Sequence, residues 1–571
     1  MYFNSKGKEE NTYDAIVVGS GISGGFAAME LCLKGYKTLV LERGPMVKHG
    51  DYPTANLDTW ELENNNIVSK EEVAAHYFKQ NRLNWWVKQE HKQFINRDDE
   101  YPYDEVQGTR FDWIRGHHVG GRSIMWGRHC YRWSDIDFEG NAKDGVAVDW
   151  PIRYKDIEAW YDYAETFVGV SGQKEGLKQV PDGVFLPPFQ LNCAEQHMRE
   201  SVGKKYPRRV ITPGRVANLT EYKPEVHKGK RGQCQSRNRC VRGCPYGAYF
   251  SSLSATLPVA EETGNLWMRP NSVVHEIVFD PSTRQATGVR VKDTETGEDV
   301  EFFANIIFCN ASTIGTTAIL LNSRSDEFPD GLGNTSGELG HNMMDHHYGM
   351  GASAIIPGFE DTYYKGRKPM GFYIPRFRNI DKESKMDNFI RGYGYQGRAH
   401  RIKGVGDGIG ESFKEQIVQP GPYHVSMTCF GELLPYHDNK MFLNFDKKDK
   451  NGMPIITFDT KLRENEVALR KDGVTCAEEM LEAAGCTDIS SYNVETAVGA
   501  AIHEMGTARM GRDPQTSVLN KWNQMHDVKN VFITDGSCMT SSATQNPSIT
   551  YMALTARAVD YMHKEKNRQN L

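Results

Sequence analysis

The chain has 571 residues, 25% of them charged and 39% hydrophobic, with a formal net charge of −6. That length exceeds one simple core and predicts two domains, in series or interleaved. The acidic balance argues against nucleic acid as the main partner, and no run of eighteen apolar residues offers a membrane span.

Met1 to Tyr13 is polar and mixed in charge, without the basic-then-apolar layout of a secretory signal, so the chain taken alone reads as cytoplasmic. Tyr13 to Val18 is expected as a buried strand. The run Gly19-Ser20-Gly21-Ile22-Ser23-Gly24 then makes a tight turn, Phe26 to Lys34 a helix stopped by Gly35, and Thr38 to Leu41 a second strand ending at Glu42. Gly19, Gly21 and Gly24 let the backbone turn sharply and approach a pyrophosphate at a helix N-terminus. Glu42 stands where a carboxylate accepts hydrogen bonds from a ribose. Strand, glycines, helix, strand and acid in register mark a dinucleotide site without separating FAD from NAD.

Residues 51–109, with Trp60, Trp85 and Trp86, read as an excursion over this nucleotide-binding part. Gly120-Gly121-Arg122-Ser123-Ile124-Met125-Trp126-Gly127 pairs a double glycine with a small hydroxyl residue. Such a segment can lie against a flat ring system, although an ordinary loop has the same composition. A helix is expected over 154–172, paired strands over Val273–Phe279 and Thr287–Val291, and a buried strand at Ile306–Phe308 before a helix from Thr316 to Leu321. From about 350 to 460 the texture becomes rich in Gly, Tyr and Phe, with strand-like pieces and a hairpin turn at Lys448–Gly452, which predicts an antiparallel sheet. Glu464–Ala484 reads as a long helix, Asn530–Thr534 as a strand, and Ser548 onward as the last helix.

Eleven cysteines, odd in number and mostly scattered, do not form a disulfide framework; Cys32, Cys309 and Cys538 read as buried thiols. The exception is the group Cys234, Cys240 and Cys244, followed by Pro245. Zinc would want a fourth ligand, whereas three thiols and a proline fit an iron–sulfur run better. A disulfide plus a spare thiol is the plain alternative. In Met344-Asp345-His346-His347 the adjacent histidines point in different directions, so the segment reads as structural rather than as a metal site.

His503 ends the small apolar stretch Val498–Ile502, and Asn546-Pro547 lies downstream of a strand ending in Asp535-Gly536. A histidine titrates near neutrality and can take a hydroxyl proton as a hydride leaves; an asparagine can orient the hydroxyl and hold the developing alkoxide.

With these motifs in this order, the chain resembles the glucose–methanol–choline (GMC) oxidoreductases. The resemblance runs from Tyr13 to about Met562 and is strongest at Val17–Gly44, Gly120–Gly127, Leu339–His346 and His503–Tyr551. It implies an α/β fold, α+β overall: a discontinuous Rossmann-like FAD domain (1–50, 110–150, 200–345 and 490–571), and a substrate domain on an antiparallel sheet (151–199 and 346–489), with 51–109 as an excursion or lid. It implies His503 as the base, Asn546 as its partner, hydride passing to flavin N5, and Gly19, Gly21, Gly24, Glu42, Gly120, Gly121, Ser123, Trp126, Val274, Asp535, Gly536 and Pro547 as cofactor contacts. Where some members carry a histidine tethering FAD, this chain has Met125, so the FAD is expected to be non-covalent; His117 and His118 are out of register.

The cysteine spacing is similar to that of the multi-subunit bacterial branch of sugar dehydrogenases. It implies a [3Fe-4S] cluster on Cys234, Cys240 and Cys244, a small export subunit, a cytochrome c acceptor and, by co-export, a periplasmic location. Oxidation at C3 of glucosides is the favoured activity, with glucose C1, gluconate C2 and an oxygen-using oxidase as rivals. Tyr363, Tyr364, Phe372 and Tyr373 are candidates for stacking on a sugar ring or for plain packing.

Overall fold

A computed structural model of the chain describes residues 10–83, 86–362, 370–403, 408–494 and 496–571. The chain opens with strand β1 (Thr12–Val18), helix α1 (Ile22–Leu33) and strand β2 (Thr38–Leu41). Ala15, Ile16, Val17 and Val18 are all buried, as a strand covered on both faces requires. α1 starts at Ile22, four residues before the expected Phe26, because Gly21 is itself the extended N-cap.

The first sheet has seven strands. β1 pairs in parallel with β2, and β2 with β3 (Leu266–Arg269). On the other side of β1 come β6 (Asp299–Cys309), β5 (Gln285–Asp293) and β4 (Ser272–Asp280), with β4 to β6 antiparallel to one another. Val531–Phe532 adds in parallel to β6. This last strand is shorter than expected because the Thr534 amide turns to the Asn310 side chain instead of a ladder partner. Helix α2 (Thr313–Asn322) follows β6.

The second sheet has six strands, all antiparallel: β7 (His346–Ile356), β8 (Phe372–Ile374), β9 (Tyr393–Lys403) and β10 (Pro420–Glu432), flanked by Thr487–Asn493 and Thr212–Pro213. Helix α3 (Glu464–Ala483) lays Leu469, Cys476, Ala477, Met480 and Leu481 into the same core as Met350, Val425 and Met427 of the sheet. The hairpin expected at Lys448–Gly452 joins Lys440–Lys448 to Pro454–Asp459. Helix α4 (Ser548–Asn567) ends the chain, packed against α1 and the helix Tyr154–Val168. Phe372 and Tyr373 are buried, with Tyr373 stacked 3.9 Å from Tyr131, so they serve packing; Tyr363, Tyr364 and Trp85 lie outside the described residues. Cys32, Cys309 and Cys538 are buried free thiols, as expected. No helix among the described residues is long and apolar enough to cross a membrane.

Candidate functional site

A cavity of about 870 Å3 is lined from both sheets. On its wall lie Gly19, Gly21, Glu42, Gly121, Ser123, Trp126, Val274, His503, Asp535, Gly536, Asn546 and Pro547, brought together from five stretches of chain. Gly24 and Gly120 stand behind the wall and shape it. A Cβ on Gly24 would lie 1.9 Å from the Gly19 carbonyl oxygen, so α1 can approach the turn only with glycine there. Gly120 is left-handed (φ +87°), and its N–H donates to Ser20 Oγ at 2.9 Å.

At one end, the turn after β1 leaves room for a diphosphate. A Cβ on Gly21 would meet nothing within 4 Å, and one on Gly121 would face only the Gly21 backbone at 3.4–3.8 Å. Two glycine backbones thus border open space at the N-terminus of α1, where the helix dipole favours an anion. The Glu42 carboxylate accepts from Ser20 N–H (3.1 Å), Ser20 Oγ (2.6 Å) and Gly44 N–H (3.1 Å), which anchors it at the end of β2. Two buried polar atoms on the cavity wall, Asn310 Nδ2 and the Tyr551 hydroxyl, have no protein partner. Such orphaned groups, with the glycine cradle, fit a large polar cofactor of the dinucleotide type. Asp535, held by Ser537 and Thr316 (Oγ1 to Oδ2, 2.6 Å), and Gly536, whose Cβ would strike the Glu504 carbonyl at 2.4 Å, form the turn facing α4.

At the other end lies a chain of hydrogen bonds that fixes a proton. The Ser542 carbonyl can only accept, so His346 donates to it through Nε2 at 3.0 Å. Burial pushes the His346 pKa down to about 4, so the ring is neutral and carries that one proton. Its Nδ1 must then accept, and the partner 2.9 Å away is His503 Nδ1, which therefore holds the His503 proton. Enclosure by protein, with His346, Arg122 and His129 adding to it, holds His503 well below the usual histidine value. A neutral His503 protonated on Nδ1 presents a bare Nε2 lone pair to the cavity. Asn546 Nδ2 donates to that atom at 3.1 Å, while Asn546 Oδ1 accepts from Gln396 Nε2 at 2.8 Å. Phe430, with its ring centre 6.3 Å from that of His503, flanks the base.

The backbone under His503 is shaped by Asp345. Its carboxylate accepts from the amides of His346 (2.8 Å), Gly499 (2.8 Å), Ala501 (3.0 Å) and His503 (2.9 Å). These bonds hold a turn in which Gly499, Ile502 and Thr507 all have positive φ. Burial and the neighbouring Glu504 push the Asp345 carboxyl up to about 7, against the pull of the His503, Ala501 and His346 amides. Arg122, from the double-glycine loop, grips Glu504 through both carboxylate oxygens (3.0 and 2.7 Å) and ties that loop to the base.

The Met344–His347 segment is thus structural, but in direct service of the base. Sequence reasoning named Asp345 and His346 only as part of a structural segment and Arg122 only as part of the double-glycine loop, and it did not name Gln396. The available signal was an acid and a histidine side by side at the head of a strand, inside one of the stretches of strongest family resemblance.

Cys240 lines the cavity, while Cys234 and Cys244 do not; all three are free and half-buried. They share one neighbourhood, since Cys240 and Cys244 add to the burial that raises the Cys234 thiol. Among the described residues, however, no group of three or more His, Cys, Asp or Glu is arranged to hold a metal. Cys240 sits on the one-turn helix Cys240–Arg242 at the cavity wall.

A dinucleotide cradle opening onto a neutral histidine base beside an amide defines an oxidoreductase of alcohol groups. Two family models, both described as GMC oxidoreductase, match residues 13–348 and 435–555, and the chain belongs to this family. It is an FAD-binding enzyme acting on CH–OH groups. Among its relatives, 2-methyl-1,2-propanediol dehydrogenase of Mycolicibacterium austroafricanum is 28% identical, over 96% of this chain and 95% of that protein. The fructose dehydrogenase large subunit of Gluconobacter japonicus is 26% identical, over 96% and 97%. A solved formate oxidase of Aspergillus oryzae shares the fold with a TM-score of 0.60 and 14% identity, over 98% of this chain and 99% of that one.

Proposed function

We propose that the protein is a sugar dehydrogenase in which His503 Nε2 takes the proton of a ring hydroxyl. The observation that carries this reading is the proton order Ser542–His346–His503, which leaves a bare acceptor 3.1 Å from an amide donor. A substrate hydroxyl that takes the place of this direct bond would donate to Nε2 and accept from Asn546 Nδ2. As the C–H bond breaks, its hydrogen and electron pair leave as hydride, the O–H proton moves to His503, and a carbonyl forms. Asn546, held in place by Gln396, stabilises the oxygen while it carries negative charge. Non-covalent FAD, when bound, supplies the hydride acceptor; Met125 stands at the position where a tethering histidine would be needed.

The favoured substrate position is C3 of a glucoside, with glucose C1, gluconate C2 and an oxygen-using oxidase as the alternatives. The sugar reading is supported by the fructose dehydrogenase relative. The finer electron path, through a [3Fe-4S] cluster on Cys234, Cys240 and Cys244 to a cytochrome c, belongs with a small export subunit and a periplasmic location. Iron and acid-labile sulfide analysis of the purified protein tests it. The reading of an FAD domain and a substrate domain is supported by the presence of two sheets, except that Thr212–Pro213, inside the 200–345 stretch given to the FAD domain, pairs with Phe372 and Tyr373 of the second sheet.

An anaerobic visible spectrum with methyl α-glucoside, and with glucose in parallel, tests the substrate reading. Bleaching of the flavin by the glycoside, whose C1 is blocked, is expected. Bleaching by glucose alone would move the reaction to C1, and no bleaching by either would overturn the sugar reading.

A further inference from the structure

The charge on the cavity wall does not balance. Five arginines line it (Arg43, Arg115, Arg122, Arg128 and Arg398) against four carboxylates. All four carboxylates are engaged: Glu42 with Ser20 and Gly44, Glu504 with Arg122, Asp535 with Ser537 and Thr316, and Asp449 with Arg43 at 3.6 Å. Arg115 stands with Arg43 beside Tyr101, near the nucleotide end, and donates to the Tyr101 carbonyl. Arg128 and Arg398 are on the substrate side.

Arg128 is 3% exposed. It bonds the Trp126 carbonyl and the Met370 sulfur, neither of which carries charge, and its buried Nε has no partner. No ion pair among the described residues involves it. Its backbone is left-handed (φ +64°), strained for a residue with a side chain, so the fold holds this guanidinium in place at a cost. Met370 leads into β8, and a Cβ on the next residue, Gly371, would lie 2.9 Å from Arg398 Cβ. Arg398 is on β9 two residues from Gln396, hence on the same face as the side chain that positions Asn546. One buried and one exposed guanidinium thus border the region beside the reacting hydroxyl.

We infer that the preferred substrate carries a carboxylate, bound by Arg128 and Arg398: the enzyme oxidises a uronide in preference to the corresponding neutral glucoside. A planar guanidinium pairs a carboxylate through two parallel N–H···O bonds. The carboxylate is not transformed; it fixes which hydroxyl reaches His503. This inference rests on the sugar-oxidising reading and narrows it.

The test compares methyl β-glucuronide with methyl β-glucoside, which differ only at C6, on the FAD-loaded enzyme. It uses both initial rates and the thermal shift each compound produces. The expected result is a kcat/KM at least about tenfold higher for the glucuronide at low salt, with the ratio falling as salt rises. Arg128→Met and, at the exposed position, Arg398→Gln should each shrink the ratio several-fold, and Arg128→Lys should restore only part of it. Equal rates for the two compounds, or a ratio unmoved in Arg398→Gln and Arg128→Met, would overturn the inference and leave the sugar reading intact. A thermal shift by the glucuronide that needs Arg128 and Arg398, without turnover, would uphold the carboxylate site and overturn the sugar-oxidising reading. No shift and no turnover with the glucuronide would overturn the inference.

Discussion

The two ends of the cavity are built in opposite ways. The nucleotide end comes mainly from one contiguous stretch, Thr12 to Glu42, in which strand, glycine turn, helix, second strand and acid follow within thirty-one residues. The base end is assembled from segments hundreds of residues apart: Arg122 reaches Glu504 across 382 positions, His346 reaches His503 across 157, and Gln396 reaches Asn546 across 150. A cradle for an invariant cofactor can be local because backbone geometry does the binding. A proton acceptor over a variable substrate needs side chains aimed from several directions, and only packing of the two sheets supplies them.

The sharpest way to break this comparison is to disable each end separately. His503→Ala should lower kcat by about 100-fold or more, the loss expected for a general base, while the flavin absorbance stays. Gly24→Ala, whose Cβ would sit 1.9 Å from the Gly19 oxygen, should instead lose flavin and about 1–3 kcal/mol of stability. A His503→Ala enzyme that turned over normally would end the assigned chemistry; flavin retained at wild-type level in Gly24→Ala would end the local account of the cradle.

A smaller effect is expected at His346, a positioning residue. His346→Phe removes the acceptor that fixes the His503 proton and should cost about 10- to 100-fold in kcat, as the loss of other orienting partners does. His346→Gln can still donate to Ser542 and accept from His503, and should recover most of the rate. Equal losses in the two variants would show that the ring only fills space.

The smallest effect concerns pH. The His503 pKa lies well below 6.5, with burial as the first cause, so the base stays deprotonated as pH falls through that value. The acid limb that belongs to His503 should therefore begin below pH 6.5, and any inflection near 7 should belong to Asp345, whose carboxyl holds the turn under His503 and is pushed up to about 7. An inflection at or above 6.5 that persists in Asp345→Asn would mean that the His503 ring is hydrated in the working enzyme, and the desolvated site drawn from the structure would be wrong.

The sequence by itself determined the elements whose signals are local. The βαβ unit was legible because apolar runs and glycines lie in register, and the Val273–Phe279 and Thr287–Val291 pair and the Lys448–Gly452 hairpin because turn chemistry is local too. His503 and Asn546 were legible only as single residues. What the tertiary structure alone decided is their state. Which nitrogen of His503 is bare follows from a carbonyl at Ser542, acting through a histidine on β7. The turn that carries His503 is shaped by Asp345, and among the described residues the guanidinium at Arg128 has no ion-pair partner, the four carboxylates on the cavity wall being engaged elsewhere. Hydrogen-bond direction and charge balance depend on which groups meet in space, and sequence spacing does not carry that information across more than one element.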